Sequence, residues 1–187
     1  MIDRPWLASY PPTVPAEIDP DRYRSVADLL RASFDRYGDA PAFSNFGTTM
    51  SFGAVDRDSR AFASYLVNAL RLTKGDRVAV MLPNLLQSPI VIFGILRAGL
   101  VVVNVNPLYT PHELEHQLKD CGARALVVLE NFAHTVAAVR GATELKTVLV
   151  TRVGDELPAL KSVIVNFVTK HVKRLVPAWR IEGRAFE

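Results

Sequence analysis

The chain has 187 residues, 49% of them apolar and 22% charged, with a formal net charge of +3 and a single cysteine. That is apolar material for one core with appendages, and it excludes wholesale disorder. A lone thiol, Cys121, excludes an internal disulfide and fits a reducing compartment, and no apolar run approaches the ~18 residues of a membrane span.

The first ten residues, with Asp3, Arg4 and Pro5, do not read as a signal peptide, so the body is expected in the cytoplasm. Residues 1–24 carry Pro5, Pro11, Pro12, Pro15 and Pro20 and predict an extended arm without internal hydrogen bonds. Trp6, Leu7 and Tyr10 would dock that arm, on its own domain in the favoured reading or swapped onto a second subunit in the other.

Residues 25–157 read as one α/β unit. Ser25 caps a helix that puts Val26, Leu29, Leu30, Phe34 and Tyr37 on one face and ends at Gly38 and Pro41. Residues 42–46 and 48–52 form a hairpin turning at Asn45-Phe46-Gly47. Ser51 opens a second helix with Val55, Ser59, Phe62, Leu66 and Leu70 toward the core.

Residues 72–107 are the centre of the pattern: turn, strand, helix, strand. Lys74-Gly75-Asp76 is the turn and 77–82 the strand. Pro83-Asn84 opens a helix that runs to Ala98, and Gly99 closes it. Residues 100–105 are apolar except for Asn104. A strand apolar on both faces predicts a place inside a parallel sheet covered by helices, and two strands joined by one helix predict a crossover unit.

Asn106-Pro107-Leu108-Tyr109 then leaves the strand's carboxyl end as an irregular loop. Thr110-Pro111-His112-Glu113 is a capping box with proline at the first helical position, and the helix buries Leu114, Leu118 and Cys121 before Gly122. Residues 125–129 form a third strand, 132–140 a helix, and 147–150 a fourth strand. The alternation argues a layered α/β fold with a largely parallel sheet flanked by helices, a small N-terminal hairpin and a C-terminal basic amphipathic helix. Ligands of such sheets sit beyond the carboxyl ends of the strands. Pro83-Asn84, residues 106–110, residues 130–134 and Thr151-Arg152 are therefore the expected functional rim.

Residues 158–187 break the alternation. Val163, Ile164, Phe167, Val168, Val172 and Leu175 share one helical face, and Ser162, Asn166, Thr169, Lys170 and Lys173 the other. Pro177 ends the helix and no strand is expected after it. From Leu160 onward six basic residues face two acidic ones, a balance of +4, so residues 1–159 carry −1. Such a helix over residues 160–176 could lie in a membrane interface, with Phe167 and Trp179 at the headgroup boundary. The favoured reading is that the stripe packs on its own domain and the lysines are solvated. Nucleic acid is not an expected partner, because aromatic and basic residues do not interleave.

His112-Glu113-Leu114-Glu115-His116 matches a zinc-hydrolase pattern letter for letter. It sits in a first helical turn where Glu113 is needed as the cap, and no further histidine follows at a ligand's spacing, so a solvated helix is preferred. The ten glycines are dispersed and form neither G-x-G-x-x-G nor G-x-x-x-x-G-K-[ST]. No nucleophile elbow is present, and Cys121 reads as a structural thiol. Catalytic and metal-binding residues are not expected in this chain.

Residues 74–84, Phe93-Gly94-Ile95-Leu96-Arg97-Ala98-Gly99 and residues 104–111 together resemble the adenylate-forming ligases, most nearly the bacterial long-chain fatty-acyl-CoA synthetases. Met50-Ser51-Phe52 with Asp58-Ser59-Arg60-Ala61 adds to the resemblance. So do Trp6-Leu7 with Tyr10-Pro11, and Val165-Asn166-Phe167 with Lys173-Arg174-Leu175-Val176-Pro177. The resemblance implies activation of a fatty acid by ATP and magnesium to an acyl-adenylate, then thioester formation with coenzyme A. It implies that the phosphate loop, the adenine and ribose contacts and the catalytic lysine lie further along such an enzyme. This chain is thus expected to be its N-terminal part, inactive alone and binding no ATP. It would supply a wall of the acyl tunnel and one side of the coenzyme A entrance, with Asn106, Leu108 and Tyr109 on the coenzyme A side; an ordinary capping loop is the alternative for those three. A stand-alone module that binds a lipid or membrane surface is the competing reading of the chain. A peripheral place at the inner membrane surface and self-association, as a homo-oligomer or swapped dimer, are further expectations.

Overall fold

The computed structural model describes residues 4–181 and the backbone of Arg184–Ala185. Helix α1 (Val26–Tyr37) starts where the Ser25 hydroxyl accepts a hydrogen bond from the Asp28 amide. A hairpin of β1 (Pro41–Asn45) and β2 (Thr48–Ser51) follows, turning through Phe46 and Gly47, both at positive φ. Two left-handed residues match the twist of the flanking strands, which is the common solution for a two-residue hairpin loop. Ser51 then caps α2 (Phe52–Ser64), which buries Val55, Ser59 and Phe62.

The main sheet holds β3 (Arg77–Met81), β4 (Val101–Asn104), β5 (Ala125–Leu129), β6 (Thr147–Thr151) and β7 (Arg184–Ala185) in the order β4-β3-β5-β6-β7, all parallel. Helix α3 (Gln87–Arg97) carries the chain from β3 out to β4. Helix α4 (Pro111–Cys121) returns it past β3 to β5, and α5 (Ala133–Val139) leads on to β6. Strand residues alternate between two cores. Val78, Val80, Ala125, Val127 and Leu149 pack with α1, α2 and α3, whereas Ala79, Met81, Leu126, Val128 and Val148 pack with α4 and α5. Helices cover both faces, as a parallel sheet requires.

Helices α2 and α3 cross closely at Gly94, where a Cβ would stand 2.7 Å from Phe62 Cδ1 and 3.0 Å from the Ser59 carbonyl oxygen. Arg97 of α3 ion-pairs with Asp56 of α2 and lies 4.9 Å over the Phe34 ring of α1.

Five details differ from the sequence expectation. First, β4 is an edge strand. Its one partner among the described residues is β3, and Val101 is 44% exposed. An apolar strand was expected inside the sheet, but composition does not report how many neighbours a strand has; the direction of the crossovers decides that.

Second, α3 begins at Gln87 and not at Pro83. The Ser88 hydroxyl donates to the Pro83 carbonyl at 2.6 Å and the Leu85 amide donates to the same oxygen at 2.8 Å, closing a turn before the helix. Third, β7 pairs with β6 where no further strand was expected.

Fourth, the arm is not uniformly extended. Residues Pro5–Ser9 form a 3-10 turn, in which Leu7 is partly covered while Trp6 and then Tyr10 are exposed. Fifth, the helix expected over 132–140 is split into a 3-10 turn (Glu130–Phe132), α5 and a second 3-10 turn (Arg140–Ala142).

Candidate functional site

The strand order reverses between β3 and β5, because the chain leaves β3 for β4 and comes back to the other side. In such sheets the crevice beyond the carboxyl ends of the strands, at this reversal, is the natural ligand position. The expected rim residues share the carboxyl edge of the sheet, since β3, β4, β5 and β6 all run the same way. The hairpin reaches this rim too: Asn45 Nδ2 donates to the Asn84 carbonyl at 2.8 Å.

At the end of β4, Asn106 Oδ1 accepts from the Leu108 amide at 3.0 Å and the Asn106 carbonyl accepts from the Tyr109 amide at 3.1 Å. This double turn projects Leu108, 79% exposed, off the open edge of the sheet. Tyr109 is half-buried against the α4/α5 core. The structure therefore brings Asn106, Leu108 and Tyr109 into one compact loop, with Leu108 alone reaching far into solvent. Gln117 of α4 steadies the loop's approach by donating to the Asn104 carbonyl at 3.1 Å.

At the ends of β5 and β6 the rim is a polar network that sequence reasoning largely missed. Gln87 is buried and its Nε2 donates to the Arg152 carbonyl at 2.6 Å and to Thr151 Oγ1 at 3.3 Å. Asp155 accepts from Thr151 Oγ1, the Arg152 amide, Arg152 Nε and Asn166 Nδ2 at 2.7 to 3.2 Å. Asn166 Oδ1 accepts from the Gly154 amide at 2.8 Å. Glu130, buried at the end of β5, pairs with Lys170 at 2.7 Å. Every member has a partner, which is the condition for a buried polar network to hold.

This network binds helix α6 (Ala159–Phe167) and the π turn Val168–Val172 that continues it. The outcome reverses the expectation for this segment. Its polar face is inward. Gly154 lets it come close, for a Cβ there would meet the Ser162 carbonyl oxygen at 2.9 Å. Lys161 Nζ donates to the Phe46 carbonyl at 2.6 Å, so that lysine is not merely solvated. The apolar stripe points outward instead: Leu160, Val163, Ile164, Phe167, Val172 and Leu175 are 53% to 76% exposed. Trp179, expected beside this stripe, lies partly buried against the α4/α5 core. One weak signal was available in the sequence, the four-residue spacing of Ser162, Asn166 and Lys170.

The zinc pattern resolves into a cap. Glu113 accepts from the Thr110 amide at 2.8 Å and from Thr110 Oγ1 at 2.7 Å. Those bonds hold its carboxyl below the usual glutamate range. Cys121 donates only a weak bond to the Leu118 carbonyl.

A family model described as AMP-binding enzyme matches residues 30–179. The chain belongs to this family. A long-chain-fatty-acid–CoA ligase of Escherichia coli O6:H1 is 56% identical over 176 residues, 94% of this chain and 31% of that ligase. The Haemophilus influenzae ligase of the same name is 48% identical over 180 residues, 96% of this chain and 32% of that one. The chain thus spans about a third of the length of these curated relatives and corresponds to an N-terminal part of them. The crystal structure of a long-chain-fatty-acid–CoA ligase from Archaeoglobus fulgidus superposes with a TM-score of 0.61 at 29% identity, covering 75% of this chain and 29% of that one.

Four glycines have positive φ, Gly47, Gly75, Gly99 and Gly122, and the Gly75 amide donates to the Gly99 carbonyl at 3.0 Å, so two of these turns lie together. Among the described residues there is no group of three or more His, Cys, Asp or Glu side chains that could hold a metal ion.

Proposed function

We propose that this chain is the N-terminal part of a long-chain-fatty-acid–CoA ligase, an enzyme that joins a fatty acid to coenzyme A through an acyl-adenylate, using ATP and magnesium. The observation that carries this reading is 56% identity sustained over 94% of the chain. The parallel sheet with its rim facing one way supports it. The chain alone neither binds ATP nor turns over, because neither glycine-rich phosphate-loop pattern occurs in its sequence.

Within the whole enzyme this part supplies a wall of the acyl tunnel and one side of the coenzyme A entrance. Asn106, Leu108 and Tyr109 form that side. Asn106 fixes the loop and Tyr109 anchors it to the core, so Leu108 presents an apolar side chain at the mouth. The enzyme is cytoplasmic and works peripherally, at the inner surface of the membrane where its fatty acid arrives. Taken alone the chain self-associates, through the open edge of β4 and the aromatic side chains of the arm. Sedimentation velocity decides this: a monomer at every concentration contradicts it.

A chimera tests the main reading. Residues 1–187 replace the matching part of the Escherichia coli ligase, and folding is checked by circular dichroism. A folded chimera that forms oleoyl-CoA supports the assignment; a folded one that forms none contradicts it. Titration calorimetry with ATP and magnesium on the 187-residue chain should give no heat, and micromolar binding would overturn the division of labour.

A further inference from the structure

We infer that residues 168–181 are a strap that closes the carboxyl edge of the sheet beside β5 and opens as one body, with Lys170 on Glu130 as its latch. The inference goes beyond the reading above and rests on contacts within this chain alone.

The path of the chain makes the strap. Val165 of α6 packs on the core that holds α1, α2 and α3, whereas Trp179 and Ile181 pack on the core of α4 and α5. These cores lie on opposite faces of the sheet, so the chain passes an edge of the sheet between Val165 and Trp179. It passes at β5. Lys170 Nζ pairs with Glu130 at 2.7 Å, and Asn131 Nδ2 donates to the Leu175 carbonyl at 3.0 Å. Glu130 and Asn131 are the first two residues after β5. Strand β5 borders the reversal of strand order, so the strap lies at the end of the crevice where such sheets take their ligands.

The crossing is built to move. Its first half is self-contained: the Lys173 amide donates to the Val168 carbonyl at 2.8 Å, and the Leu175 amide to the Thr169 carbonyl at 3.0 Å. Arg174 sits at φ 52°, in the left-handed region that residues with a side chain seldom occupy. It and the π turn Val168–Val172 are the points that absorb a change of direction. Residues 176–181 form neither helix nor strand, and Pro177 has no amide to donate. A segment with few ties and exposed backbone opens at a lower free energy than the whole fold. The latch is asymmetric. Glu130 is 7% exposed, whereas the Lys170 side chain is 49% exposed. Removing Lys170 leaves a bare charge beneath the strap, and the strap lifts to let water reach it.

Hydrogen exchange on the 187-residue chain tests the latch. Lys170→Met should speed amide exchange over residues 168–181 about tenfold and leave α4 at the parent's rate. Lys170→Arg keeps the charge and should exchange like the parent. Adding Glu130→Gln to Lys170→Met removes the charge that calls for water, and should slow exchange about threefold relative to Lys170→Met alone. Two further readouts report what the strap covers. Coupling of glycine ethyl ester by a carbodiimide should label Glu130 about tenfold faster in Lys170→Met than in the parent, because the open strap uncovers the carboxyl. In a Trp6→Phe background Trp179 is the one tryptophan left, and Lys170→Met should raise its quenching by acrylamide about twofold. Five results would each overturn the inference: exchange in Lys170→Met that is unchanged or accelerated in α4 as well, Lys170→Arg as fast as Lys170→Met, a double variant as fast as the single one, Glu130 labelled at the parent's rate, or unaltered quenching of Trp179.

Discussion

Helices α4 and α6 carry comparable apolar stripes and point them in opposite directions. α4 buries Leu114 and Leu118 against Ala133 and Val136 of α5 and turns Glu115 and Lys119 to solvent. α6 buries none of its residues fully and turns Val163, Ile164 and Phe167 outward. The difference lies in what each helix finds below it. Beneath α4 is an apolar sheet face. Beneath α6 are Gly154, Asp155 and Glu130, which offer hydrogen bonds and close approach, and of the helix's apolar side chains Val165 packs on the core. Helical spacing says which side chains share a face; the ground beneath says which face goes down.

The largest contrast should come from truncating one stripe residue on each helix. Leu118→Ala should cost about 2–5 kcal/mol in urea unfolding, since it leaves a cavity. Phe167→Ala removes more apolar atoms and should stay within about 0.5 kcal/mol. A large loss at Phe167 would break the comparison.

The anchors of α6 come next. Gly154→Ala puts a methyl against the Ser162 backbone and should cost about 1–3 kcal/mol, while Asn166→Ala strands the Gly154 amide, Asp155 keeping its bonds from Arg152 and Thr151, at a cost of about 1–3 kcal/mol. Hydrogen exchange would sharpen the point, because protection lost by Asn166→Ala should be confined to residues 159–172.

A pH pair distinguishes the two sides of the molecule. Asp76, beside the α4 side, accepts from the Thr73 amide and pairs with Arg124 at 2.8 Å. The Thr73 amide bond, with Arg124, outweighs burial and holds its carboxyl below the usual range. A lowered carboxylate stabilises the fold above its unfolded value and loses that contribution as pH falls through the folded one. Asp76→Asn should therefore flatten the acid limb of the stability curve.

Glu156, just before α6, is the opposite case. Burial, and then the charges of Asp58 and Asp155, push its carboxyl up. Its neutral form suits the fold, so stability falls as pH rises from the unfolded value through the folded one. Glu156→Gln should recover that loss at neutral pH, a gain within about 1 kcal/mol read from thermal unfolding.

Much of the fold was legible because local chemistry agreed with it. Thr110 and Glu113 announced α4 and Gly122 closed it in the left-handed region. Ser25 and Ser51 capped as their positions suggested, and Phe46-Gly47 turned the hairpin. The edge position of β4 was not legible, since Val101, Val102 and Val103 look the same at an edge as inside. The rim was partly legible: Asn106, Leu108 and Tyr109 were placed by following an apolar strand, and so was Glu130. Gln87, Asp155 and Asn166 were missed because a single polar side chain does not say which distant backbone it will meet.

Cysteine labelling tests the orientation of α6 most directly. In a Cys121→Ser background, Phe167→Cys and Leu118→Cys are each exposed to a maleimide in the native state. The account predicts that the thiol at position 167 reacts within a few-fold of its rate in the unfolded chain, while the one at 118 is protected by orders of magnitude. Equal protection of both would mean that the stripe of α6 is buried, and the account would be wrong.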